Sequence, residues 1–161
     1  MPDQPGAAPE ERLSALGLNL PTLSEPRGLY VRARRHGSIL YLAGHGPAPD
    51  GDGNRLVGKV GADLTLAQGY EAARRAGLGL IATLAAELGD LRRVTAILRV
   101  FGMVNVAPGF VALPAVIDGC SDLLVAVFGP EAGPHARSAI GVAALPHDLA
   151  VEIEAVVAIR D

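Results

Sequence analysis

Residues 135–158 run HARSAIGVAALPHDLAVEIEAVVA, and this stretch constrains the fold more than any other. It reads as two β-strands, residues 136–143 and 149–159, broken at Leu145-Pro146-His147-Asp148, where proline cannot continue a central ladder. A tight turn at that break makes the pair a hairpin. The first strand holds one arginine, Arg137, among small and apolar residues. The second alternates around two carboxylates, Glu152 and Glu154, which share a face. Charge in strands this apolar is costly unless it is paired or given a ligand. Two readings stay open for Arg137: a structural ion pair with a glutamate in an oligomer interface, or a guanidinium left free to grip an anion. Residue types alone favour the ion pair.

Other elements follow in chain order. Residues 1–8, rich in proline and glycine, read as disordered. Residues 9–16 read as a short helix with Glu10 and Glu11 at its dipole-favoured N-terminus, and residues 19–28 as a proline-broken connector. Residues 29–35 alternate as a strand with Tyr30, Arg32 and Arg34 on one face. His36-Gly37 signals a hairpin turn, and residues 38–43 (SILYLA) form a partner strand, apolar on both faces and so expected to be central. Residues 44–54 (GHGPAPDGDGN) read as a site-edging loop, without the Lys-Ser/Thr of a P-loop or the GxGxxG of a dinucleotide fold. Residues 55–60 are a candidate short strand. Residues 65–88 are the clearest helix: Thr65 and Gln68 form a capping box, apolar residues recur at helical spacing, and Gly89 closes it. Residues 93–104 form a long strand. Pro114 opens a second long helix that Gly129-Pro130 stops.

The result is a β-β-(β)-α-β-α-β-β order: a sheet of four to six strands and two long helices. Two helices cover only one face of such a sheet, yet residues 38–43, 93–104 and 149–159 are apolar on both. The other face is therefore expected to be buried between subunits. Half of the 161 residues are hydrophobic and only 19% are charged, and the mean hydropathy of +0.32 is high for a chain without a spanning segment. Apolar surface of that order fits subunit association.

Several classes are excluded or disfavoured. Net charge is −3, from 14 basic and 17 acidic residues, with no basic run beyond arginine pairs; phosphate-backbone binding calls for a basic patch, so nucleic acid is not the expected partner. The single Cys120 allows no internal disulfide, suits a reducing compartment and reads as a small core residue. The polar, acidic N-terminus carries no targeting character, and no stretch has the run of apolar residues of a membrane span, so a cytoplasmic location is expected. The four histidines, His36, His45, His135 and His147, show no metal-ligand spacing.

The run Arg137-Ser138-Ala139, Leu145-Pro146 and Val151-Glu152-Ile153-Glu154-Ala155 resembles the C-terminal signature of the reactive-intermediate deaminase family. This is the RidA-like, YjgF-type group often labelled "endoribonuclease L-PSP". Tyr30, Gly44 and Ala72-Ala73-Arg74 fit the same pattern. The resemblance covers residues 28–161, and the N-terminal arm and the loop at residues 49–62 are similar to the longer-chain branch. It implies an α+β, chorismate-mutase-like fold, a mixed sheet with two long helices on one face, and a homotrimer with clefts between subunits. Residues 1–28 form an arm with a short helix, and residues 29–161 a single domain. Archetypal members hydrolyse 2-imino or 2-enamino acids to 2-keto acids and ammonia. By the same resemblance Arg137 binds the substrate carboxylate, Glu152 positions water or moves a proton, and Tyr30 lines the cleft. Gly44 and Ala139 are expected to contribute backbone groups, and Asp118 stands near the position of a family asparagine. Ala43 replaces a usual serine, and Gly141 an acid.

The chemistry is coherent from the residues. A guanidinium holds a carboxylate by two parallel hydrogen bonds, which lysine does poorly. A glutamate within one hydrogen bond of the attacking water serves as base and then acid. No metal or organic cofactor is required. The alternatives are a non-catalytic trimer that binds small carboxylates as a sensor or partner protein and, against the charge balance, a ribonuclease. Retention of both Arg137 and Glu152 favours the hydrolase, since binding alone needs only the arginine.

Overall fold

The computed structural model describes residues 6–26 and 28–161. Residues 1–5, within the segment read as disordered, lie outside the described residues. Three helices and five strands follow in order: α1 (Pro9–Ala15), β1 (Ala33–His36), β2 (Ile39–His45), α2 (Leu66–Leu88), β3 (Val94–Asn105), α3 (Leu113–Ala132), β4 (Ala136–Val142) and β5 (Val151–Ile159). One mixed sheet has the order β1-β2-β5-β3-β4. Only β3 and β4 run parallel; the other neighbours are antiparallel.

The expected β4–β5 hairpin does not form. β5 pairs with β2 and β3, and β4 pairs with β3 on the sheet edge. Parallel pairing of β3 with β4 requires a crossover, which α3 supplies. The chain then returns through the 3₁₀ turn at Pro146–Asp148 to lay β5 into the middle of the sheet. β2 is interior, as expected, between β1 and β5, and β5 is the middle strand of the five. The first strand is also shorter than expected, starting at Ala33, so Tyr30 and Arg32 precede it. β2 continues to His45, which brings Gly44 and His45 out of the expected loop and into the sheet. Residues 55–60 contribute only isolated bridges at Val57 and Val60.

Local chemistry sets the helices. Thr65 accepts from the Gln68 backbone N–H while the Gln68 side chain bonds the Thr65 N–H, and Gly89 closes α2 in the left-handed region at φ 72°. Gly129, at φ 81°, kinks α3 before a last turn led by Pro130. α3 is long and apolar enough by composition to cross a membrane, but it packs against α2 and β3. The two long helices touch closely: a Cβ on Gly119 would lie 2.0 Å from the Tyr70 carbonyl oxygen.

Burial along β5 alternates strictly, with Val151, Ile153, Ala155, Val157 and Ile159 buried. These face the helices, with Leu40, Val100, Ile81 and Ile117 in the same core, and Leu13 of α1 joins it. The opposite face carries Tyr41, Phe101, Met103, Ile140 and Val156, set by the registers Tyr41↔Val156, Phe101↔Glu154 and Met103↔Ile140. No helix covers it, and Tyr41 and Ile140 remain 52% and 40% exposed.

Candidate active site

The register separates the two principal residues. Arg137 pairs with Val100, which also pairs with Ala155, so Arg137 lies on the helix-covered face. Glu152 pairs with Met103, three residues along β3 from Val100, and so lies on the open face. One subunit therefore cannot present both side chains to one small molecule.

Arg137 is neither free nor paired with a glutamate. Its Nη1 donates to Asp118 Oδ1 at 2.7 Å and to Ser121 Oγ at 3.0 Å, both on α3. Among the described residues Nε and Nη2 make no hydrogen bond, which leaves one edge of the guanidinium fork open. Ser121 Oγ lies 3.0 Å from His135 Nε2, and His135 Nδ1 lies 2.7 Å from the Gly133 carbonyl. The carbonyl requires Nδ1–H, so in neutral His135 Nε2 accepts from the Ser121 hydroxyl. Asp118, which the family resemblance sets near a cleft asparagine, bonds Arg137 in this structure. Ala139 sits two residues from Arg137 on the same face of β4, packed against the core. Cys120 is buried beneath this network, and burial pushes its thiol up to about 12, which removes it as a nucleophile.

Glu152 has a different setting. It is half-buried on the open face and, among the described residues, has no hydrogen-bond or ion-pair partner. Burial first, and then the neighbouring Glu154 carboxylate, raises its pKa above the ordinary glutamate value. It lies directly against Gly44: a Cβ there would be 2.3 Å from Glu152 Oε1 and 2.8 Å from its Cδ. A side chain at position 44 would push the Glu152 carboxylate out of this place.

Gly44 also lines a cavity of about 210 Å³ beside β2, bounded by the connector at residues 21–26, Tyr30, Arg32, His45 and Arg55. Tyr30 is 58% exposed at its mouth. Arg32 ties the connector down by donating from Nε to the Ser24 carbonyl at 2.9 Å. His45 bridges Ala43 O through Nδ1 and Thr83 Oγ1 through Nε2, each at 2.7 Å. Burial lowers its pKa most, the Ala43 carbonyl opposes this, and Arg32 lowers it further; His45 is neutral with both nitrogens occupied. Sequence reading placed His45 in a loop and gave Arg32 and Arg55 no role. The tell-tale was Gly79, whose missing side chain makes room for the His45 ring. Among the described residues no three of His, Cys, Asp and Glu converge as metal ligands.

Residues 10–153 match the family described as YjgF/chorismate mutase-like, putative endoribonuclease. The chain belongs to that family. Protein TCP17 of Trypanosoma cruzi is 40% identical over 149 residues, 92% of each chain. The crystal structure of Atu1372, a protein of unknown function from Agrobacterium tumefaciens, is 36% identical and superposes with a TM-score of 0.86, covering 95% of this chain and 94% of that one. The fold extends to RidA from an Antarctic Psychrobacter species at 21% identity and a TM-score of 0.54, over 84% of this chain and 92% of that one. The α+β, chorismate-mutase-like architecture and the RidA-like resemblance expected from the C-terminal signature are those of this YjgF family.

Proposed function

We propose that this YjgF-family chain hydrolyses 2-imino and 2-enamino acids to 2-keto acids and ammonia, at sites formed between copies in a homotrimer. The observation that carries the reading is Glu152: a half-buried carboxylate with a raised pKa and, among the described residues, no hydrogen-bond or ion-pair partner, set against exposed backbone at Gly44. Structural carboxylates in such settings acquire partners; one left unpartnered is suited to a moving proton. The open edge of the Arg137 fork supplies the complementary group for a substrate carboxylate. Because the two lie on opposite faces of one sheet, the edge strand β4 of one copy must approach the open face of another. The apolar residues on that face support such an assembly.

In this reading Arg137 holds the substrate carboxylate. Glu152 accepts a proton from water as the oxygen bonds to C2 and the C=N π pair moves to nitrogen, and it passes that proton to the nitrogen to give a carbinolamine. Glu152 then takes the carbinolamine hydroxyl proton and delivers it to the amine, the C–N bond breaks with its electron pair leaving on nitrogen, and ammonia departs as the C2–O bond becomes a carbonyl. The net change is imine plus water to keto acid plus ammonia.

The test couples the protein to a threonine dehydratase, whose imine product is followed as it becomes 2-oxobutanoate. Faster release is expected with the wild-type chain and not with Arg137→Ala or Glu152→Ala alone. Mixing those two variants before refolding should restore part of the activity, since some sites then pair an intact Arg137 with an intact Glu152. Absence of any rate enhancement by a wild-type protein that still binds keto acids would make it a carboxylate-binding protein instead.

A further inference from the structure

We propose that the cavity beside β2 is a subsite for a second carboxylate, so that the preferred substrates are 2-imino acids with acidic side chains; this rests on the deaminase reading of Glu152 and Gly44.

Gly44 connects the cavity to the reacting centre: this glycine borders the Glu152 carboxylate and also forms part of the lining of a cavity whose wall does not include Glu152 itself. A substrate whose C2 sits at Glu152 would extend its side chain past Gly44 into this space. The volume, about 210 Å³, is below the roughly 300 Å³ at which whole-ligand pockets begin, which suits one arm of a substrate and not a separate molecule.

Charge decides the chemistry of that arm. Two guanidiniums, Arg32 and Arg55, line the cavity, and the lining carboxylate is Glu25. Glu25 lies 3.7 Å from Arg32 with its side chain 92% exposed, so it offsets little of the positive potential. Arg32 spends hydrogen bonds on the Ser24 carbonyl, whereas Arg55 has no hydrogen-bond or ion-pair partner among the described residues. His45 contributes no charge, and both its nitrogens are engaged. Prolines 21, 26, 47 and 49 shape the wall without offering an N–H. The group left to receive a ligand is therefore an unpaired, solvent-exposed guanidinium at the rim of a net positive cavity, which fits a carboxylate.

The experiment compares two five-carbon keto acids, 2-oxoglutarate and 2-oxopentanoate, by calorimetric titration of the assembled full-length protein. They differ in the terminal carboxylate. 2-Oxoglutarate should bind about tenfold more tightly or better, the scale of one charge-assisted hydrogen bond. Arg55→Gln should bring the ratio of the two affinities near one, while Arg137→Gln should weaken both acids and leave the ratio in place. Because Arg55 has no structural partner, its variant should fold with unchanged thermal stability. Equal affinities in the wild type, or a preference that survives Arg55→Gln, overturns the subsite while leaving the deaminase reading intact. Affinities for both acids that ignore Arg137→Gln overturn the reading of the site on which the subsite rests.

Discussion

Replacing Gly44 with alanine tests the contact on which the placement of Glu152 depends. The new Cβ would lie 2.3, 2.8 and 2.9 Å from Oε1, Cδ and Cγ of Glu152, all inside van der Waals contact. Gly44 does not have a positive φ, so alanine meets no backbone penalty, and removing a strand glycine by itself contributes roughly 0.5–1 kcal/mol. Overpacking costs about 1–3 kcal/mol, and the lower half applies because the obstructing atoms end a flexible side chain. The net effect in the wild type is a loss of about 1 kcal/mol, or roughly 2–4 °C in Tm for a chain of this size. In a Glu152→Ala background all three obstructing atoms are gone, and Gly44→Ala should be neutral or slightly stabilising. The double-mutant cycle, read by thermal and denaturant unfolding, should give a coupling of about 1–2 kcal/mol. Additivity within about 0.5 kcal/mol, the behaviour of independent sites, would show that the glycine is not required by Glu152. Gly44→Ala should also lower turnover, since the carboxylate must swing away from its place.

Arg137→Ala should weaken keto-acid binding tenfold or more, given about 1.5–3 kcal/mol for a hydrogen bond to a charged group, and Arg137→Lys should recover little because the fork is lost; ligand titration checks both. Glu152→Gln should leave binding nearly unchanged and lower turnover roughly 10²-fold or more in the dehydratase-coupled assay, with normal turnover marking the carboxylate as structural. The same group sets the acid limb of the pH profile: burial and Glu154 raise its pKa, so the rate should climb through a midpoint above that of an ordinary glutamate and the limb should vanish in Glu152→Gln. For stability the sign is opposite: a raised carboxylate pKa favours the folded state below the unfolded value and that contribution is lost as pH rises through the folded one. Gly119→Ala should destabilise by about 2 kcal/mol, because a Cβ 2.0 Å from the Tyr70 carbonyl forces two helix backbones apart at about 3 kcal/mol and the better helix propensity returns only about 1; a rise in Tm would refute the close approach.

Much of this fold is legible in the sequence. The capping box at Thr65 and Gln68 and the stop at Gly89 are local chemistry, and α2 appears where they place it. Strand order is not local. Periodicity shows that residues 136–143 and 149–159 are strands, but pairing depends on what the crossover through α3 does, and nothing in the intervening Pro146 turn distinguishes a hairpin from a return to the sheet centre. The site suffers from the same gap. Residues within a strand can be assigned to faces by counting, but comparing Arg137 with Glu152 requires the shared register on β3. Asp118 and Ser121 become partners of Arg137 only once α3 is laid across β3 and β4. The cavity draws on the connector with Tyr30 and Arg32 ahead of β1, on β2 and the loop that follows it, and on α2, separated segments whose individual patterns carry no sign of one another.

The position of β5 has a consequence for how the chain reaches this state. The β1–β2 pair and the β3–β4 pair share no ladder with each other; β5 alone joins them. It is also the last of the five strands to leave the ribosome. Until then α2 and α3 have half a sheet on which to pack, and the edges of β2 and β3 that will receive β5 stand open. Such edges are templates for pairing with other chains. Synthesis of this domain therefore passes through a state that is most vulnerable to aggregation just before β5 emerges, and a stop anywhere ahead of β5 leaves two half-sheets with no strand to join them.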